Sequence, residues 1–323
     1  MVEISIGGDP PCLDSLPLSQ CERRGATGAL KGNPNLPILW GLMAAVSFSI
    51  GQTLISQSLR YSNATTAAWF TSGASGLILW LIALSNPMPE FTGRLILGAS
   101  AAALFSPFLA RISLYMAYSR LGLSRPTVVA GTSPVWATIL AILFLGEPLS
   151  VFIALGTLAT TGGVVLLAYE KLPRTDWKKI HLTFALFAAI CFGTRDVVGR
   201  FAVQGFASPL VAAALVPTIA SILLSCLFII RNDSFRYHLE RKALPSFCIA
   251  SLLYVNAYFS MFTALHGSQV VFVTAAIHAA PLFTLVLSYL FLRKQERLSV
   301  RVVGGAVLVV LGVTVIALAR HGA

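Results

Sequence analysis

The run AYSRLGLSRPTVVAGTSP, residues 117–134, and the run ALHGSQVVFVTAAIHAAP, residues 264–281, hold matching places in two halves of one chain. Each closes on a proline inside an apolar stretch, Pro134 in the first and Pro281 in the second. Each leads into a similar tail, FLGEPLSVFIALGTLATTGG from Phe144 and FLRKQERLSVRVVGGAVLVVLG from Phe291. An offset of 147 carries Ala117 to Ala264 and Pro134 to Pro281. After a two-residue insertion the offset is 149, which aligns Glu147 with Glu296, Gly156 with Gly305 and Gly163 with Gly312. Upstream, an offset of 144 lays AAVSF from Ala44 on AAICF from Ala188. A duplicated, proline-broken apolar segment is how many carriers build a substrate path.

Composition sets the surroundings. Of 323 residues, 56% are hydrophobic and 11% charged, with a mean hydropathy of +0.81. Soluble domains carry about a quarter charged residues, so this chain is expected to be an integral membrane protein with the lipid bilayer as its partner. The net charge of +11 does not point to nucleic acid, because the basic residues lie between apolar runs, where they set orientation. Five cysteines occur with no CxxC pair, so neither a disulfide framework nor a metal site is supported. No cofactor is expected. Residues 1–36 read as a disordered polar tail without the apolar core of a signal peptide.

A spanning helix needs about 20 mostly apolar residues. Ten stretches qualify: 37–58, 65–85, 95–118, 126–145, 149–169, 181–202, 208–230, 244–265, 269–291 and 299–319. The predicted fold class is all-α integral membrane, ten transmembrane helices in two inverted five-helix repeats. The repeats take residues 37–170 and 181–319, joined by a charged loop at 171–180. An odd number of helices per repeat makes the second enter the membrane the other way up. The connections after the odd-numbered helices hold fifteen Lys and Arg, the opposite side five, which places the odd connections in the cytoplasm. A multi-pass protein of the cell (inner) membrane is expected, and a monomer and a homodimer are both compatible with the sequence.

This arrangement resembles the drug/metabolite transporter superfamily, in particular its EamA-type members. The resemblance rests on SPVWATILAILFLGEPLS from Ser133, on GLSRP from Gly122, and on APLFTLVLSYLFLRKQERLS from Ala280, which departs by two inserted residues. It covers about residues 37–319. It implies ten helices in two five-helix repeats, and solute transport with export as the default direction. It does not name a cargo.

The candidate substrate-binding residues are Arg111, Arg195, Tyr115 and Tyr118. An ionised side chain at membrane depth costs roughly 3 kcal/mol or more, so it faces the bundle interior. Arg111 and Arg195 lie about two-thirds along helices that start from opposite sides, so they approach one cavity. They read either as a basic pocket for a carboxylate or phosphate, or as interhelical glue, with Arg111 paired to Asp196. Tyr115 and Tyr118 share a helix face with Arg111 and can hold a planar solute or pack the guanidinium. Asp196 and Arg200 stand four apart and are placed to pair, while Arg195 has no evident local partner. Asp196 is expected to stay charged. His278, three residues before Pro281, is the candidate for ion coupling, because an unperturbed histidine titrates at about 6.5; a histidine bonded to a neighbouring helix is the alternative.

Pro134 and Pro281 each free a backbone carbonyl and are read as helix breaks that gate the path. Glu147, Glu296, Gly156 and Gly305 are structural marks of the repeat, the two acids lying before helices 5 and 10 to complement their positive ends. There is no GxxxxGK[ST] motif for ATP, no nucleophile–base pair and no HExxH, so the chain is not expected to be an enzyme. The expected function is secondary transport of a small polar or amphiphilic metabolite, anionic or zwitterionic, by alternating access. The alternative is a passive facilitator or exchanger of phosphorylated or nucleotide-linked solutes.

Overall fold

The apolar runs fold as helices and the chain turns where they stop. The computed structural model describes residues 36–85, 91–121, 126, 129–147, 150–169, 180–204, 208–230, 238–280, 283 and 300–319, all within the compact unit Asn35–Ala323. The helices are α1 Leu36–Ser58, α2 Ala64–Leu84 and α3, which runs Gly93–Ala103, a π-helical stretch Leu104–Leu109, and Ala110–Leu121. Then come α4 Ser133–Leu140 with a π-helical end Ala141–Leu145, α5 Val151–Tyr169, α6 Ile180–Val203, α7 Pro209–Ile230, α8 Leu244–Gly267, α9 Val270–Ile277 and α10 Val300–Ala319. Among the described residues there is no strand, only an isolated bridge between Ser62 and Leu239. Local chemistry sets the ends. Asn63 Oδ1 accepts the Thr66 N–H at 2.8 Å to cap α2, and Gly146, at φ +63, ends α4 in the left-handed form.

Five of the helical segments are long and apolar enough to cross a membrane: Leu36–Ser58, Ala64–Leu84, Gly93–Arg120, Pro209–Ile229 and Arg241–Gly267. Ser133–Leu145, Val151–Leu166 and Val307–Ile316 are apolar and shorter. The outer surface is greasy. Leu143, Phe144, Val151, Phe152, Leu77 and Ile229 are all exposed, which suits lipid and not water.

Helix packing repeats itself across the two halves. α1 lies on α8 and α3 on α6; α4 lies on α6 and α9 on α1; α2 lies on α7, and α5 on α10. Exchanging each helix with the one five places on maps this set of pairs onto itself. The connections sort in the same way. The α1–α2 turn is tied to the segment before α8: Ser62 Oγ donates to His238 O at 2.7 Å, and Glu240 N to Tyr61 O at 3.1 Å. The connection after α4 and the last turn of α6 instead meet the α8–α9 turn, described below. The start of α3 joins that group, since Arg94 Nε donates to Phe201 O at 2.8 Å.

Small residues allow the closest of these approaches. A Cβ placed on Gly163 of α5 would lie 2.7 Å from the Gly305 carbonyl oxygen and 2.7 Å from Val309 N of α10. One on Gly312 of α10 would lie 2.6 Å from the Gly156 carbonyl oxygen of α5. The pair Gly156·Gly312 becomes Gly305·Gly163 under the repeat offset, so the seam is symmetric. Gly162 faces away, and a Cβ placed there would meet no atom within 4 Å. Gly163→Ala is therefore expected to cost roughly 1–3 kcal/mol by overpacking and to lower the melting temperature of the detergent-solubilised protein. Gly162→Ala is expected to leave it unchanged or slightly raised; equal behaviour of the two variants in a thermal melt would contradict the seam.

Candidate functional site

Helix 4 breaks before it begins its long run. Val129 and Ala130 are helical, Gly131 and Thr132 form a turn, and α4 starts at Ser133 with Pro134 in its first turn, where a missing N–H costs no hydrogen bond. In the second repeat α9 ends at Ile277, His278 and Ala279 form a turn, and Ala280 is helical again. The offset of 147 superimposes the two breaks, Gly131–Thr132 on His278–Ala279. Pro134 thus stands just after a discontinuity and not in the middle of an unbroken helix. Pro281 and Glu296 lie outside the described residues.

A cavity lies at these breaks, lined by Phe48 and Gln52 of α1, Arg111, Leu114, Tyr115 and Tyr118 of α3, Ala130 and Gly131, Phe192 and Arg195 of α6, and Ile277, His278 and Ala280. The space open to the centre of a water-sized sphere is about 60 Å³, enough for roughly five waters and so for a small solute. Tyr118 lies three residues before the end of α3 and Gln52 six before the end of α1. These two lining residues thus lie toward the α1–α2 and α3–α4 connections, with Arg111, seven residues before Tyr118, about 10 Å further in at 1.5 Å per residue.

Arg111 is buried at 5% exposure and held by tyrosines. Its NH2 donates to Tyr258 Oη at 2.8 Å, its NH1 lies 3.5 Å from Thr71 Oγ1, and its guanidinium stands 4.3 Å from the centre of the Tyr254 ring. Tyr115 and Tyr254 share a hydrogen bond at 2.9 Å, and Tyr118 donates to Gln52 Oε1 at 3.3 Å. Among the described residues no carboxylate pairs with Arg111. The alternative reading, Arg111 paired to Asp196, is not what forms.

Asp196 is fully buried and serves two other partners. Arg195 donates to Asp196 Oδ1 from Nε at 2.8 Å and from NH2 at 2.5 Å. His278 Nε2 meets Asp196 Oδ2 at 2.9 Å, and its Nδ1 meets Ser133 Oγ at 2.8 Å. Arg195 is thus not a lone cation, as the sequence suggested. Adjacent side chains diverge on a helix, but the long guanidinium stem folds back to the neighbouring carboxylate, the one buried countercharge beside it among the described residues. Nor does Arg200 pair with Asp196. Its NH1 donates to the carbonyls of Leu265, at 2.5 Å, and His266, at 2.7 Å, which sit where a helix end leaves carbonyls without intrahelical partners.

Glu147 also differs from expectation. Its carboxylate does not cap α5; it accepts from the first N–H groups of α9, Val270 at 2.8 Å and Val271 at 3.3 Å, with the dipole of that helix favouring the charge. Glu147 and Arg200 thus grip the α8–α9 turn from both sides, on its donors and its acceptors. This turn lies at the other end of α8 from the segment tied to the α1–α2 turn. Gly156 and Gly305 lie in the α5–α10 seam, away from the cavity. The sequence reading did not single out Ser133, Thr71, Phe48, Phe192 or Gly131. Phe48 and Phe192 were within sight, because the offset of 144 superimposes them.

Replacing Asp196 by Asn leaves Arg195 buried without a counter-ion, a change expected to cost about 3–5 kcal/mol. Yield and melting temperature of Asp196→Asn are expected to fall sharply, and the double variant Asp196→Asn/Arg195→Gln is expected to recover part of the loss. Additive losses in the double variant would contradict the pair.

The EamA-like transporter family matches this chain twice, over residues 35–169 and 179–318. A solved structure, described only as a crystal structure of a protein, superposes with a TM-score of 0.72 at 15% identity, covering 88% of this chain and 97% of that one; it shares the fold. No curated protein matches the chain.

Proposed function

This chain is a member of the EamA-like transporter family, a membrane transporter, and on that premise we propose that it moves a small anionic or zwitterionic metabolite by alternating access. Arg111 carries this reading. It lines the cavity, its positive charge has no carboxylate partner among the described residues, and tyrosine hydroxyl and ring contacts hold it in place. A solute carboxylate or phosphate supplies the missing charge with hydrogen bonds. Arg195 and Asp196 cancel each other, so they add no net charge to the site. Both oxygens of Asp196 are occupied, so the ammonium of a zwitterion would rest on the aromatic faces of Phe48, Phe192, Tyr115 and Tyr118.

The two breaks at the cavity are where a secondary carrier bends its path helices. The self-mapping helix pairs and the sorting of the connections support ten crossing helices in inverted repeats. On this reading the structure is open toward the α1–α2 side and closed at Glu147 and Arg200. Export is the direction we assign, out of a cell (inner) membrane.

A thermal-shift screen against small carboxylates, phosphate esters, amino acids and amines tests the cargo class. A ligand at 100 times its Kd adds about 2.7 kcal/mol of stability. Anionic or zwitterionic compounds are expected to stabilise the wild type. Arg111→Gln is expected to stay folded and lose the response, and to lose uptake of the same compound into proteoliposomes. Stabilisation by amines alone, or an unchanged response in Arg111→Gln, would overturn the proposal.

A further inference from the structure

We infer that His278 is the coupling-ion site of this transporter, binding a proton at Nδ1, and that Ser133 transmits its occupancy to the break in helix 4. The ring sits where three elements meet. It belongs to the α9 break, its Nε2 lies 2.9 Å from Asp196 Oδ2 of α6, and its Nδ1 lies 2.8 Å from Ser133 Oγ at the start of α4. It is 13% exposed and lines the cavity, so a proton reaches it by the route a solute takes.

The hydrogen bonds fix the bookkeeping of hydrogens. A carboxylate only accepts, so Nε2 carries a hydrogen and donates to Asp196. The neutral ring then accepts at Nδ1, and the Ser133 hydroxyl donates to it. An added proton goes onto Nδ1, which becomes a donor. Ser133 Oγ must then accept, and its own hydrogen must turn to another acceptor. Pro134 has no N–H to give the carbonyl four residues before it, that of Ala130. That carbonyl stands three residues before Ser133, a spacing at which serine hydroxyls bond back to their own chain. Proton binding at His278 thus moves the Ser133 hydroxyl hydrogen from the α9 break to the α4 break. No hydrogen bond on Asp196 is lost, and the imidazolium gains the carboxylate charge already beside it.

The surrounding charges are few. α6 presents Arg195 and Asp196, and α3 presents Arg111, Tyr115 and Tyr118. α8 adds Tyr254 and Tyr258 around Arg111 and carries His266 in its last turn. α1 and α4 contribute no charged side chain, α5 none but the tyrosine Tyr169, and α10 has Arg301 in its first turn. Asp196, already bonded to the ring, is therefore the only carboxylate among these groups.

This assignment rests on the transporter reading only in calling the proton a coupling ion; its test needs no solute. The full chain, labelled with [13C]histidine and 5-fluorotryptophan, is placed in nanodiscs and followed by NMR between about pH 5 and 9. Trp136, three residues after Ser133, reports on α4, and Trp136→Phe assigns its signal. We expect one histidine signal that titrates in the wild type and is missing from His278→Gln. The Trp136 fluorine shift should follow the same midpoint and stay flat in His278→Gln. Ser133→Ala keeps the ring, and its histidine midpoint should move while the Trp136 response shrinks. A His278 signal that does not titrate in this range overturns the proposal, as does a Trp136 response that persists in His278→Gln. Should His278→Gln fail to fold, the wild-type and Ser133→Ala titrations decide: an identical midpoint and an identical Trp136 response in the two refute the link. Failure of the cargo screen with a titrating His278 would separate the two readings.

Discussion

One buried carboxylate orders the middle of this protein. Charge at membrane depth is tolerated only against a countercharge or a wet cavity, and Asp196 supplies the countercharge. It takes two hydrogen bonds from Arg195 and one contact from His278, and His278 reaches on to Ser133. Through these contacts α6 is joined to the breaks of both discontinuous helices. Because Asp196 is fully engaged, Arg111 is left to the tyrosines, and the cavity keeps one positive charge with no carboxylate partner among the described residues. The fate of each charge in the centre thus follows from the commitments of one aspartate.

The two repeats share a frame and differ in chemistry. Carried along the chain, the offset of 147 sets Arg111 on Tyr258 and Gly131 on His278; the offset of 144 sets Gln52 on Asp196 and Phe48 on Phe192. The aromatic pair keeps the symmetry and walls the cavity on both sides. The other pairs break it. Arg111 donates to its own counterpart, Tyr258, so a position duplicated in the chain has become a donor in one repeat and an acceptor in the other. A cavity between two repeats acquires a head and a tail in this way, while the helices around it retain one packing scheme.

Much of the frame was legible in the sequence, because the signals that set it are local. Apolar runs mark the helices, and the alignment of Pro134 with Pro281 located the breaks to within a few residues. The glycines at 156, 163, 305 and 312 carried the alignment of the repeats, and they meet in the α5–α10 seam. What stayed out of reach was pairing. Arg195, Asp196 and Arg200 lie within six residues, and spacing favoured the wrong couple; the choice depended on carbonyls at the end of α8, some 65 residues away. The same holds for Glu147, whose partners come from the other repeat. Ser133 gave no warning at all, since an isolated serine in an apolar run is recognisable only through what it faces.

The seam between α5 and α10 has a consequence for how such a chain arises. Gly156 meets Gly312 and Gly163 meets Gly305, and each contact is the image of the other. A surface that offers the same residues to its own copy is isologous. It would join two separate copies of the repeat as readily as two halves of one chain. The covalent link between the halves adds local concentration to an association the glycines already specify, so joining two copies of the repeat needs no new interface, and the unlike residues at the cavity are free to diverge afterwards.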